Sequence, residues 1–274
     1  MTESKIGQTE TTTDIIDVWR VRALAATLGL GDVSDAPGAI LPPAWHWAFF
    51  LPVLAHDDLG PDGHAARGGF LSPVDLPRRM WAGGRIEIAQ PLSIGETATR
   101  KSTVMGITEK QGRSGRLVFV TMRHEITGND GGSVTEDHDI VYRGPTDTKV
   151  SPPAAPTDGE WTEIFTPDPV MLFRYSALTF NGHRIHYDVD YCRKVEGYPG
   201  LVVHGPLTAT LLLHLARQQC GGAAVTGFSF RGISPLFIPG NITLSGKRTE
   251  TGASLWAANA DGGLAVLAEV TFSE

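Results

Sequence analysis

Residues 205–219 read GPLTATLLLHLARQQ, and the chain after them breaks into VTGFSFRGI (225–233), NITLSGKRT (241–249), ASLWAANA (253–260) and LAVLAEVTF (264–272). The first stretch has helical length, with Gly205-Pro206 at its entrance, where proline's missing N–H costs nothing. The later stretches are short, rich in β-branched and aromatic residues, and separated by turn residues, which predicts strands. Asp261-Gly262-Gly263 predicts a hairpin turn between the last two. One helix followed by a strand meander is therefore the reading of the C-terminal half.

The N-terminal half holds a second meander: GRIEIAQPL (84–92), ETATRKSTVMGI (96–107), GRLVFVTMRHEI (115–126) and VTEDHDIVYR (134–143). The halves echo one another. Pro91-Leu92-x-Ile94-Gly95 returns as Pro235-Leu236-x-Ile238-Pro239-Gly240, and Asp130-Gly131-Gly132 returns as Asp261-Gly262-Gly263, at offsets of 144 and 131. Two echoes in the same order predict a duplicated unit. Residues 144–159, GPTDTKVSPPAAPTDG, are proline-rich without apolar periodicity and read as the linker. The units expected are 14–145 and 160–274, joined by 146–159. Residues 1–13 read as a loose tail. Asp14 is expected to cap a helix that carries Ile15, Ile16, Trp19, Leu24 and Leu28 inward, and Gly29 to end it. Pro42-Pro43 is expected to open a second helix over AWHWAFFL, stopped by Pro52. Asp168 is expected to cap PVMLFRYSAL. The Gly-, Pro- and Asp-rich stretch 56–84 is long for a structureless loop, and such loops are often functional.

With 274 residues, 41% of them hydrophobic, the chain can bury a sizeable core. A net charge of −7 and no Lys/Arg run longer than two residues argue against nucleic acid as a partner. The polar start, MTESKIGQTETTTD, lacks a signal-peptide core, and the apolar stretch Leu201–Ala216 is too short and interrupted to span a membrane. Two cysteines, Cys192 and Cys220, suit a reducing compartment, so a cytoplasmic location is expected.

The chemistry concentrates in YSALTFNGHRIHYDVDYCRKVEGYPGLVVHGPLTATLLL (175–213). It sets Asn181, His183, His186 and Asp188 within eight positions, then offers His204-Gly205 at a helix entrance, whose unpaired amides can stabilise an oxyanion. His183 and His186 could be a metal pair, but no third ligand stands at a suitable spacing, so no metal is expected. A structural polar cluster is the plainer alternative. His46, between two tryptophans, reads as packing, and His214 as a core or interface histidine.

Thr179-Phe180-Asn181-Gly182-His183-Arg184-Ile185-His186-Tyr187-Asp188, followed by Val203-His204-Gly205, resembles the hydratase motif of MaoC-like (R)-specific enoyl-CoA hydratases. The resemblance is closer to the type 2 hydroxyacyl-thioester dehydratases, in the branch of itaconyl-CoA and mesaconyl-C4-CoA (3-methylfumaryl-CoA) hydratases. That branch shares the text LFRYSALTFNxHRIHYD. Gly60-Pro61-Asp62-Gly63-His64, Gly69-Phe70-Leu71-Ser72-Pro73 and Arg78-Arg79-Met80-Trp81-Ala82-Gly83-Gly84 support it, so the likeness covers roughly 40–274.

The resemblance implies an α+β double hotdog, two antiparallel sheets each wrapped on a central helix, with the N-terminal helix degenerate. It implies a hydro-lyase acting on an acyl-CoA, with no cofactor beyond the CoA of the substrate and a possible homo-oligomer. Asn181 stands where the wider pattern has its catalytic aspartate, and a carboxamide cannot take a proton near neutrality. His186 is therefore expected to be the acid/base, Asn181 to orient, His183 to share proton transfer or fix geometry, and the Gly205 N–H to hold the oxyanion. Arg184, Arg231, Tyr187 and His204 are the expected substrate contacts. A hotdog thioesterase and a non-catalytic acyl-CoA-binding subunit are the alternative functions.

Overall fold

The computed structural model describes residues 5–66, 69–71, 74–112, 115–144 and 151–273. In chain order the elements are β1 (Thr9–Ile15), α1 (Val18–Leu28), a 3-10 turn (Trp45–Ala48), β2 (Arg78–Gln90), β3 (Thr97–Gly112), β4 (Gly115–Gly128), β5 (Ser133–Arg143), β6 (Trp161–Phe165) and α2 (Pro169–Leu178). There follow a 3-10 turn (Arg184–His186), α3 (Val189–Tyr191, a single turn), β7 (Leu201–Val202), α4 (Gly205–Gln219), β8 (Val225–Gly232), β9 (Phe237–Ile238), β10 (Ile242–Arg248), β11 (Gly252–Ala258) and β12 (Leu264–Phe272).

Ten strands make one sheet in the order β1-β3-β4-β5-β2-β8-β12-β11-β10-β6. Every pairing is antiparallel. The order reads the same from both ends: β1 answers β6, β3 answers β10, β4 answers β11, β5 answers β12 and β2 answers β8. The halves join where β2 and β8 pair, from Gly83 opposite Arg231 to Glu87 opposite Gly227. The echo in the sequence is thus a repeated connectivity. Leu92 and Ile94 are buried, as are Leu236 and Ile238. The Leu41 N–H donates to the Leu92 carbonyl at 2.8 Å, and the Val203 N–H donates to the Leu236 carbonyl at 2.9 Å, the same bond in each half.

Strand burial follows the alternation that the sequence carries. On β4, Val118, Val120, Met122, His124 and Ile126 face inward while the residues between them do not. Helix α4 is buried along nearly its whole length, with Leu207, Ala209, Leu212, Leu213 and Ala216 at or below 1% exposure, and it packs against β8, β10, β11 and β12. This is the central helix of the C-terminal unit.

The N-terminal half has no counterpart of α4 among the described residues. Following the shared Leu41/Val203 bond, Pro42-Pro43 falls where His204-Gly205 launches α4. The expected helix over AWHWAFFL is only the turn Trp45–Ala48, because Ala44 (φ 68°) and Phe50 (φ 55°) take left-handed conformations that end helical propagation on either side. The chain saved from that helix continues as a long excursion to β2.

Helices α2 and α4 span the predicted residues, and the Asp168 side chain caps α2 by accepting the Met171 N–H at 2.7 Å. The start of the chain differs from expectation. Thr9–Ile15 is no loose tail but an edge strand on β3. Asp17, not Asp14, caps α1, accepting the Arg20 N–H at 2.9 Å, while Gly29 ends the helix at φ 72° as expected. Asp14 instead binds Arg20 at 2.7 Å and accepts the Phe50 N–H at 2.9 Å. Trp19 and Ile15 are consequently exposed rather than core residues. Residues 146–150 of the expected linker lie outside the described residues; Ala155 donates its N–H to Gly262, so the end of that segment lies along the last hairpin. Among the described residues no helix is long and apolar enough to cross a membrane.

Candidate active site

The motif segment is folded inward by local bonds. After α2, Phe180 turns left-handed (φ 49°), and the Asn181 N–H reaches back to the Ser176 carbonyl at 2.8 Å. The Asn181 Oδ1 then accepts the His183 N–H at 3.0 Å, an Asx turn that makes Asn181 part of the frame. The 3-10 turn Arg184–His186 rotates His186 into the interior, where its Nδ1 meets the Val202 carbonyl of β7 at 2.7 Å. A carbonyl only accepts, so Nδ1 carries the proton and Nε2 is left bare. The His204 ring stacks on His186 at 3.6 Å between centroids, and its Nε2 bonds the Ser176 hydroxyl at 2.9 Å.

Burial dominates the electrostatics. It presses His183 down to about 2 and His186 to about 4, and holds His204 well below the ordinary imidazole range. For His183 the neighbouring His64, His186 and Arg79 add to the effect of burial, and Asp62 opposes it. These rings are neutral at physiological pH.

Asp62 and His64 arrive from the excursion that replaces the N-terminal central helix. The Arg184 N–H donates to the Asp62 carbonyl at 2.9 Å, and the Arg184 guanidinium to the Pro61 carbonyl at 3.1 Å. Thus the two motifs are hydrogen-bonded together, and the His64 and His183 rings lie 4.0 Å apart. Asp62 accepts both the His64 backbone N–H (3.0 Å) and its Nδ1–H (3.1 Å). Burial would raise the Asp62 carboxyl, but these bonds with His64 carry it far below the usual carboxylate range. Four imidazoles, His64, His183, His186 and His204, therefore run in file, with neighbouring centroids 4.0, 5.6 and 3.6 Å apart. Sequence reasoning kept Asp62 and His64 out of the site; the available signal was the Gly/Pro/Asp-rich loop that contains them.

The other expected contacts have partners or surroundings of their own in the fold. His204 is 1% exposed and stacks behind His186. Arg184 is engaged by Asp188 at 2.7 Å, and the Tyr187 hydroxyl donates to the Gly182 carbonyl at 2.9 Å, so both brace the loop. Asp188 also caps α3 through the Tyr191 N–H at 2.9 Å. Arg231 is exposed on β8, on the face opposite the buried Phe228 and Phe230. Gly205 keeps its expected place at the start of α4, where a side chain would meet nothing within 4 Å. His46 is buried as expected, bonded to the equally buried Glu136 at 2.8 Å.

The donor atoms of Asp62, His64 and His183 lie within 4.8 Å of one another, the span of a ligand set. They do not fit one, because both Asp62 oxygens are already engaged by His64 and the His64 and His183 rings lie tilted over each other at 41°. The arrangement is a carboxylate–imidazole pair stacked on a second imidazole.

A doubled antiparallel sheet with a file of histidines, three of them buried, at the mouth of one central helix defines a double-hotdog protein of the MaoC-like type. A MaoC-like dehydratase from Phytophthora capsici matches it with a TM-score of 0.73 at 17% identity, over 98% of this chain and 97% of that one. A Mycobacterium tuberculosis protein described as a double hotdog matches with a TM-score of 0.57 at 13% identity, over 98% and 97% of the two chains. The chain belongs to the hydroxyacyl-thioester dehydratase type 2 family, whose model matches residues 44–238. It is 45% identical to the mesaconyl-C4-CoA hydratase of Chloroflexus aurantiacus, over 97% of this chain and 95% of that protein.

Proposed function

We propose that this chain hydrates a C5 dicarboxyl enoyl-CoA of the mesaconyl-C4 kind, adding water across the α,β double bond. The observation that carries the reaction class is His186: its Nδ1–H is fixed on Val202, its Nε2 is bare, and its ring backs onto the residue that precedes the start of α4. The likeness to the Chloroflexus hydratase over nearly the whole chain supports the acyl group.

Hydration requires a proton to leave water at Cβ, a proton to reach Cα, and charge on the thioester oxygen to be held meanwhile. The Gly205 N–H, in the first turn of α4 where helix N–H groups lack intrahelical partners, suits the oxygen; such donors contribute about 3–4 kcal/mol. The bare Nε2 of His186 accepts a hydrogen bond from the attacking water and aims it. Asn181 acts one step back, holding the turn that presents His183.

In mesaconyl-C4-CoA the Cβ that water attacks also bears the free carboxylate. Its cation must therefore stand beside the proton-transfer groups, where neither Arg184 nor Arg231 is available. Arg79 on β2 is half-buried, makes no ion pair among the described residues, and its charge is felt by both His64 and His183. We assign it to that carboxylate. Incubating the protein with a panel of enoyl-CoAs and following the gain of one water by mass spectrometry tests the reading. Dicarboxyl C5 substrates should exceed crotonyl-CoA in kcat/KM. Release of free CoA thiol, or no turnover of any enoyl-CoA, would overturn it.

A further inference from the structure

The motif in this chain has Asn181 where a proton-accepting carboxylate would be needed, so the Asn181–His186 segment alone lacks a carboxylate–imidazole pair. The fold brings one in from the other half. Asp62 Oδ1 holds the His64 backbone and Oδ2 holds Nδ1–H at 3.1 Å, which turns Nε2 of His64 outward as the exchangeable atom. No partner for that Nε2 is present among the described residues. The pair is anchored to the motif by the Arg184 N–H on the Asp62 carbonyl, and the His64 ring rests on His183. The side chains of Asp62 and His64 are 27% and 23% exposed, so solvent and substrate can reach them, while His186, at 7%, lies deeper behind them.

We propose that His64, oriented by Asp62, is the proton carrier of the hydration, so that the catalytic base comes from the N-terminal unit and its aim from the C-terminal one. This rests on the hydratase reading above. His64 Nε2 takes a proton from water as the water oxygen bonds to Cβ. The π electrons move onto the thioester oxygen as an enolate, and Asp62 stabilises the imidazolium. The same proton then passes from Nε2 to Cα as the carbonyl reforms, so one water is added and the enzyme returns unchanged. Asp62 resembles the aspartate of a hydrolase triad, which orients and charges its histidine without being protonated.

The test uses the purified full chain and the best substrate from the enoyl-CoA panel. His64→Ala should lower kcat by about 10²–10⁴-fold with little change in KM, and added imidazole should restore part of it. Asp62→Asn should lower kcat and move the acid limb of kcat/KM to lower pH, since burial and Arg79 lower His64 while Asp62 raises it. His56→Ala, exposed in the same loop, should leave kcat unchanged. Thermal melts of each variant separate loss of chemistry from loss of fold. If the unaltered protein hydrates enoyl-CoAs but His64→Ala stays within about threefold of it, the proposal fails while the hydratase reading stands. If a chelator abolishes activity and one bound divalent metal per chain disappears in His64→Ala and His183→Ala, the cluster is a ligand set and the proposal also fails. If the unaltered protein turns over no enoyl-CoA, the hydratase reading itself fails first.

Discussion

Gly63 and Gly182 meet backbone to backbone: a side chain built on Gly63 would place its Cβ 1.9 Å from the Gly182 carbonyl oxygen. Gly63 also sits at φ +85°, a conformation that side chains resist. The contact lies between Asp62 and His64 on one side and Asn181 and His183 on the other, so it is the point at which the two halves of the site are pressed together. Gly63→Ala should push the loops apart without touching the core. We expect kcat/KM to fall by about 10²-fold, as misplacements of about 1 Å do, with the far-ultraviolet spectrum unchanged. Normal kinetics in this variant would show that the two loops need not touch.

Asn181 is a frame residue because its Oδ1 accepts the His183 N–H. A carboxylate oxygen can accept the same bond, whereas a methyl group cannot. Asn181→Asp should therefore keep activity within about tenfold, and Asn181→Ala should lose more than that, through orientation. Steady-state kinetics on both variants decide it; equal loss in the two would point to a role for the amide N–H₂ instead.

Arg79→Met should remove the preference for a dicarboxyl substrate. Hydrogen bonds to charged groups are worth about 1.5–3 kcal/mol, so kcat/KM for the dicarboxyl enoyl-CoA should drop by about 10–150-fold while that for crotonyl-CoA holds. Arg231→Ala, exposed on the outer face of the sheet, should alter neither. The ratio of the two substrates is the measurement, and a shift with Arg231→Ala alone would move the assignment.

Ser176→Ala should weaken the support of His186. His204 is 1% exposed, its Nδ1 has no partner, and Ser176 holds its Nε2. Removing the hydroxyl leaves a fully buried imidazole without any bond, at a cost of about 1–3 kcal/mol in urea unfolding. Stability equal to that of the unaltered chain would mean that His204 finds another partner.

Acid should destabilise the fold well before carboxylates titrate. Burial lowers His124 to about 3, His138 to about 4, His183 to about 2 and His186 to about 4, all from 6.5. The unfolded chain takes up these protons near pH 6.5 and the folded one does not. The stability tied to them is whole above that pH and declines as pH falls from there toward 4. Each such group is worth up to roughly 1.4 kcal/mol per pH unit in that window. Urea unfolding at about pH 7.5 and pH 5 should differ by at least about 2 kcal/mol; identical midpoints and slopes would contradict it. Glu136 acts at lower pH. Burial would raise it, but the His46 ring bonded to it holds it at about 2, so its contribution is whole above about 4.5, declines as pH falls from there and is gone below about 2.

The strands, α2, α4 and the last hairpin were legible because their signals are local. Alternation on β4, Asp168 before α2 and Gly205-Pro206 before α4 each concern neighbouring residues whose geometry is set by backbone sterics and nearby hydrogen bonds. The duplication was legible because Pro91 and Pro235 open the same local turn in each unit. The first cap was misplaced between two aspartates three positions apart, since Asp14 and Asp17 both suit a helix start and only the pairing of Thr9–Ile15 with β3 chooses between them.

The partners of the site were a different matter. His183 and His186 could be singled out from spacing, as could the inability of Asn181 to carry a proton. That His64 would rest on His183, with Asp62 behind it and Arg231 turned away, was decided by the loss of one helix in the N-terminal half and by two backbones close enough to exclude any Cβ. Contacts across more than a hundred residues leave no periodicity in the chain. They exist because the backbones of the two loops meet at Gly63 and Gly182 and are tied by the Arg184 N–H on the Asp62 carbonyl.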